Sequence, residues 1–98
     1  MPNNDFFEIH TEREAFHNVK TVTPLPDYML EVLFANGESR KYDVKPLFDK
    51  WDAFRALAGV CGLFRQVKVD AGGYGISWND DIDLSCDELY INGAKPEE

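Results

Sequence analysis

The chain has 98 residues, 44% of them apolar and 13% aromatic, with 10 basic against 18 acidic side chains and a net charge of −8. That length holds one hydrophobic core without room for a second domain, and the apolar and aromatic content is that of a folded domain, not a disordered tail. No apolar run approaches the roughly 18 residues of a membrane span, Met1-Pro2-Asn3-Asn4-Asp5 lacks the order of a secretory signal, and Cys61 and Cys86 are too few for a disulfide framework, so a cytoplasmic protein with no membrane contact is expected.

Residues 1–18 are polar and irregular, with a capping-box pattern at Thr11 and Glu14, and form the expected N-terminal extension. Val19 to Thr23 reads as a strand, Pro24-Leu25-Pro26-Asp27 as a break, and Tyr28 to Phe34 as a second strand with Tyr28, Leu30, Val32 and Phe34 on one buried face. Asn36-Gly37 then predicts a two-residue type I′ hairpin turn into a third strand, Glu38 to Val44. Pro46 opens a helix in which Leu47, Phe48, Trp51, Phe54, Leu57 and Ala58 recur at helical spacing, so Trp51 is expected in the core.

Gly59 and Gly62 end that helix. Leu63 to Val69, Tyr74 to Trp78 and Ile82 to Leu84 follow as strands, turned by Ala71-Gly72-Gly73 and Asn79-Asp80-Asp81. Gly72-Gly73-Tyr74-Gly75 is read as a hairpin and not a phosphate cradle, because a strand and not a helix follows it. Ser85 with Glu88 makes a second capping box for a short last helix, stopped by Gly93. The expected fold is α+β: small antiparallel sheets in β-β-β-α-β-β-β-α order, with one main amphipathic helix packed on a sheet face. The domain spans 19–93, and 94–98 is an acidic tail.

The acidity sits at the ends. Asp80, Asp81, Asp83, Asp87, Glu88, Glu97 and Glu98 face only Lys95 in the last stretch, whereas residues 19–79 are nearly balanced. Clustered basic side chains for phosphate are missing apart from Arg40, Lys41 and Lys45, which read as a solvated strand end, so direct nucleic-acid binding is not expected.

Catalytic, cofactor and metal sites are not expected either. His10 and His17 lie in the extension, and both cysteines, expected to be buried or half-buried, have no histidine near them in sequence. Ser39, Ser77 and Ser85 occur in no nucleophile elbow. An EF-hand count begun at Asp81 puts Cys86 where a glycine is needed and Asn92 where the bidentate glutamate is needed.

The stretch Phe34-Ala35-Asn36-Gly37-Glu38 into Tyr42-Asp43-Val44-Lys45-Pro46-Leu47-Phe48, then Phe64, Val67-Lys68-Val69-Asp70, Gly75-Ile76-Ser77-Trp78 and Asp83-Leu84 through Leu89-Tyr90, resembles the bacterial "domain of unknown function 2442" family. The resemblance covers about Val19 to Gly93 and implies a small α+β domain with no catalytic residue to carry over. Some members look like one partner of two-gene toxin–antitoxin-type pairs. Others carry a DNA-binding helical domain after this one; with few residues given after Gly93, a transcription-factor role is not expected.

Three functions remain open: a protein-binding regulatory module, antitoxin-like and partnered by the product of an adjacent gene; an acidic nucleic-acid mimic that blocks a basic protein; and a carboxylate- or metal-dependent enzyme. For the first two the expected partner-binding surface is Asp80, Asp81, Asp83, Asp87 and Glu88. The sheet edges Val19 to Thr23 and Ile82 to Leu84 are where copies of the chain would pair into a homo-oligomer, unless proline and charge protect them.

Overall fold

The computed structural model describes residues 17–96. The first sheet is an antiparallel meander of β1 (Val19–Leu25), β2 (Met29–Phe34) and β3 (Ser39–Asp43) in that order. Two short helices follow, α1 (Lys45–Lys50) and α2 (Asp52–Gly59), and then a second antiparallel meander of β4 (Lys68–Val69), β5 (Gly75–Asn79) and β6 (Ile82–Ser85). Helix α3 (Cys86–Asn92) closes the described fold. The α+β class and the order of elements agree with the sequence reading, except that the main helix is divided in two.

Period-two alternation does the work in both sheets. Leu30, Val32 and Phe34 of β2 are all 0% exposed, and β3 answers with Tyr42 opposite Leu30 and Arg40 opposite Val32. In the second sheet Ile76 pairs with Leu84, and Trp78 and Ile82 are buried beside them. Leu47, Phe54, Leu57 and Leu89 carry the helices into the same core. Its aromatic side is a run of edge-on contacts, with Tyr28 against Phe48 and Phe64, and Phe54 against Trp78.

Several local expectations are corrected. Strand β1 runs through Pro24 and Leu25, which pair with Leu30 and Met29; proline is tolerated because β1 is an edge strand. The break falls one step later, in a 3-10 turn at Pro26–Tyr28, where Asp27 (φ 66) and Tyr28 (φ 59) are left-handed. Tyr28 therefore leaves the strand, and its edge-on packing against two phenylalanines offsets a backbone conformation that costs a bulky residue about 1 to 3 kcal/mol. Lys45 ties the same turn by donating to the Asp27 carbonyl at 2.7 Å.

The β2–β3 hairpin forms, but not with a type I′ turn. Gly37 N–H donates to Phe34 O at 2.9 Å and Phe34 N–H to Glu38 O at 2.8 Å, while Gly37 (φ 91) is the only left-handed residue of the loop. This is a three-residue loop, a turn closed by a glycine bulge. Asn36 contributes through its side chain, whose Oδ1 accepts from Glu38 N–H, and not through positive φ.

The expected single helix is two. Trp51 is extended (φ −135, ψ 128) between α1 and α2. The break lets Leu47 and the Phe54–Leu57 pair reach the core from separately oriented helices, and it leaves Trp51 48% exposed, correcting its assignment to the core.

The expected strand Leu63 to Val69 shrinks to β4, because Phe64–Gln66 forms a 3-10 turn instead. The Trp78 indole N–H donates to the Phe64 carbonyl at 3.0 Å, so a side chain satisfies the group that a ladder would have used. Cys61 is exposed just beyond α2, against expectation, whereas Cys86 is buried. Ala71–Gly73 turns β4 into β5 as expected. Beyond Gly93 the chain does not leave the fold at once, since Ala94 exchanges backbone hydrogen bonds with Lys41 and covers part of the outer edge of β3. His10 and the Thr11–Glu14 capping pattern lie outside the described residues.

Candidate functional site

The five acids expected to form one surface divide into two groups. Asp80 and Asp81 make the turn between β5 and β6, held by the Asn79 carboxamide oxygen, which accepts from the backbone N–H groups of Asp81 and Ile82. Asp83 follows on β6, opposite Ser77 and on the outward face between buried Ile82 and Leu84. Among the described residues none of these three carboxylates has an ion-pair partner.

Asp81 and Asp83 instead line an open groove of about 400 Å³ whose other wall is Trp51, Asp52, Ala53 and Phe54. Trp51 leans on Phe54, with ring centroids 5.7 Å apart, and the Lys50 ammonium sits 5.0 Å from the indole centre. The helix break that the sequence did not announce thus places an exposed aromatic ring beside two of the expected acids. The only signal for it was the tryptophan itself.

Asp87 and Glu88 belong to α3 and are already engaged. Ser85 Oγ accepts from Glu88 N–H at 3.1 Å, the expected cap. The reciprocal half of the capping box is not made: the Glu88 carboxylate accepts from the Tyr42 hydroxyl at 2.6 Å and from the Asn92 amide at 3.0 Å. Burial and then the Glu88 carboxylate push the Tyr42 phenol far above its ordinary value. A raised folded-state value means a contribution to stability that is complete below the unfolded value, about pH 10, and lost as pH rises beyond it. Tyr42→Phe is expected to cost about 1 to 2 kcal/mol at neutral pH and to flatten the fall of the urea midpoint above pH ~10; an equal alkaline fall in both proteins would remove this role.

Asp87 meets His17, two residues before β1: its Oδ1 lies 2.6 Å from His17 Nε2. The His17 ring is stacked on Tyr90, with centroids 4.4 Å apart and planes 13° from parallel. Cys86 Sγ is 3.9 Å from the same carboxylate oxygen. Sequence distance hid this meeting of histidine and cysteine. It does not make a nucleophile, because burial and then the Asp87 charge push the Cys86 thiol up, toward the unreactive form.

The basic trio does not form a patch. Arg40 is buried, lies 4.3 Å over the Tyr90 ring, donates to Tyr90 O and pairs with Glu38. Lys45 bridges Asp27 and Asp43; burial opposes it, but the Lys45 hydrogen bonds hold the Asp43 carboxyl below its usual range. Lys41 remains exposed.

Among the described residues no helix is long and apolar enough to cross a membrane. No curated protein and no solved structure matches the chain. The model of the family described as "Protein of unknown function (DUF2442)" matches residues 19–94, from the first residue of β1 to the bridge at Ala94, and the chain belongs to that family.

Proposed function

We propose that the protein is a protein-binding regulatory module whose contact surface is the groove between Trp51 and the Asp80–Asp83 hairpin, and whose partner presents a basic segment. The observation that carries this reading is the exposed Trp51 ring facing the Asp81 and Asp83 carboxylates, which have no ion-pair partner among the described residues. An indole face attracts a lysine or arginine head, as Lys50 already illustrates. The carboxylates add charge complementarity that speeds encounter and selects a basic partner. Tryptophan is among the residues that dominate binding energy when a partner covers them.

Asp87 and Glu88, engaged with His17 and Tyr42, support the fold and take a smaller share in binding. Set beside the family resemblance, this makes the chain the antitoxin-like member of a two-gene pair, neutralising the product of the adjacent gene. The test is a pull-down of that product by wild type and by the Asp80→Asn, Asp81→Asn, Asp83→Asn triple variant, from about 50 to about 500 mM salt. Capture by wild type that weakens with salt, and is lost early in the variant, is expected. Equal capture by both proteins at every salt concentration would reduce the hairpin acids to protection of the β6 edge.

A further inference from the structure

Outside the Trp51 groove, none of whose lining residues takes part, the two ends of the described chain bring three metal-ligating side chains of different chemistry together. His17 lies just before β1, while Cys86 and Asp87 open α3, and His17 and Asp87 stand 70 positions apart in sequence. Their ligand atoms, His17 Nε2, Cys86 Sγ and an Asp87 carboxylate oxygen, all fall within 4.8 Å of one another. We propose that these three side chains bind one divalent transition-metal ion of borderline softness, Zn²⁺ foremost.

The distances suit an ion entering with small adjustments. Zn²⁺ binds imidazole nitrogen, thiolate sulfur and carboxylate oxygen at about 2.0 to 2.3 Å, which sets tetrahedral ligand atoms about 3.3 to 3.8 Å apart. The sulfur-to-oxygen separation, 3.9 Å, is already close to that. The histidine-to-carboxylate separation, 2.6 Å, must open by about 1 Å, exchanging one hydrogen bond for two metal bonds.

The surroundings hold the ligands in place. The His17 side chain is 12% exposed and its ring orientation is fixed by stacking on Tyr90. Cys86 is anchored in the core at the start of a helix capped by Ser85. The Asp87 side chain, 66% exposed, forms the open mouth through which the ion arrives.

The donor set selects the metal. One sulfur and one imidazole nitrogen exclude the oxygen-seeking Ca²⁺ and Mg²⁺ and favour zinc and its neighbours. Three protein ligands leave a fourth position for water or for a ligand from a bound partner. The Asp80–Asp83 hairpin offers only carboxylates and has no such set.

Co²⁺, which reports thiolate ligation and coordination number by its absorption, is the probe for the full chain. Titration is expected to raise a sulfur-to-cobalt charge-transfer band and the strong visible bands of four-coordinate cobalt, both abolished when Zn²⁺ is added. Cys86→Ser is expected to remove the charge-transfer band. His17→Gln and Asp87→Asn are each expected to weaken Zn²⁺ in competition with a chromophoric chelator by roughly tenfold or more, the lower bound set by losses of supporting groups at known sites. Cys61→Ser, which alters the exposed cysteine, is expected to change neither readout. Should Cys86→Ser fail to fold by far-ultraviolet circular dichroism, His17→Gln and Asp87→Asn decide the matter. Absence of the charge-transfer band in folded wild type, its loss in Cys61→Ser, or Zn²⁺ affinity unchanged in both His17→Gln and Asp87→Asn would overturn the proposal.

Discussion

Phe34→Ala is expected to lower the free energy of unfolding by about 3 to 5 kcal/mol, as truncation of a buried phenylalanine does. Phe34 ends β2 with 0% exposure and meets Tyr90 edge-on, ring centroids 5.1 Å apart. Tyr90 in turn carries the Arg40 guanidinium on its face and the His17 ring in a stack. Removing the Phe34 ring therefore undercuts the seam between the first sheet and α3 as well as leaving a cavity. A domain of this size has only about 5 to 15 kcal/mol in total, so the variant should be partly unfolded under mild conditions. Urea denaturation followed by circular dichroism measures the effect, and a loss below about 1 kcal/mol would show that Phe34 does not anchor this seam.

Gly73→Ala is expected to be nearly as damaging, at about 2 to 4 kcal/mol, and for a different reason. Gly73 has φ 76, and a Cβ there would lie 2.6 Å from Val19 O and 3.1 Å from Val19 N. Both obstructions are backbone, so β1 and the turn before β5 would have to separate. Gly37 provides the control: at φ 91 its Cβ would meet nothing within 4 Å. Gly37→Ala should then cost only the left-handed conformation, about 1 to 2 kcal/mol. Equal losses at the two positions would mean that the close approach of the two sheets at Gly73 is not a constraint.

What the sequence disclosed follows the range of the forces involved. The alternation of Leu30, Val32 and Phe34, the Asn36-Gly37 hairpin and the Ser85 cap are local patterns, and each yields its element in the structure. Where a tertiary contact competes with a local preference, the reading failed. Trp51 sits at helical spacing with Phe54, yet the chain extends there so that both helices reach the core. Leu63 to Val67 has a strand-like composition, yet the Trp78 indole captures the Phe64 carbonyl. The acidic residues of the candidate site were legible one by one. Their division into a hairpin group and a helical group engaged by other side chains was not, because it depends on Tyr42 and His17, both distant in sequence.

The proposed role requires the Trp51 groove and the hairpin carboxylates to act as one surface for a basic segment. Titration of the isotope-labelled protein with a short arginine-rich peptide, followed by amide and indole N–H chemical shifts, reads that surface residue by residue. Shifts are expected to concentrate at the Trp51 indole, Asp52, Asp81 and Asp83, to diminish with salt and in the Asp81→Asn, Asp83→Asn variant, and to be absent with an uncharged peptide of equal length. Shifts centred instead on a depression of about 680 Å³ between Pro24–Tyr28 and Leu57–Arg65, or spread evenly over every acidic residue, would overturn the proposal.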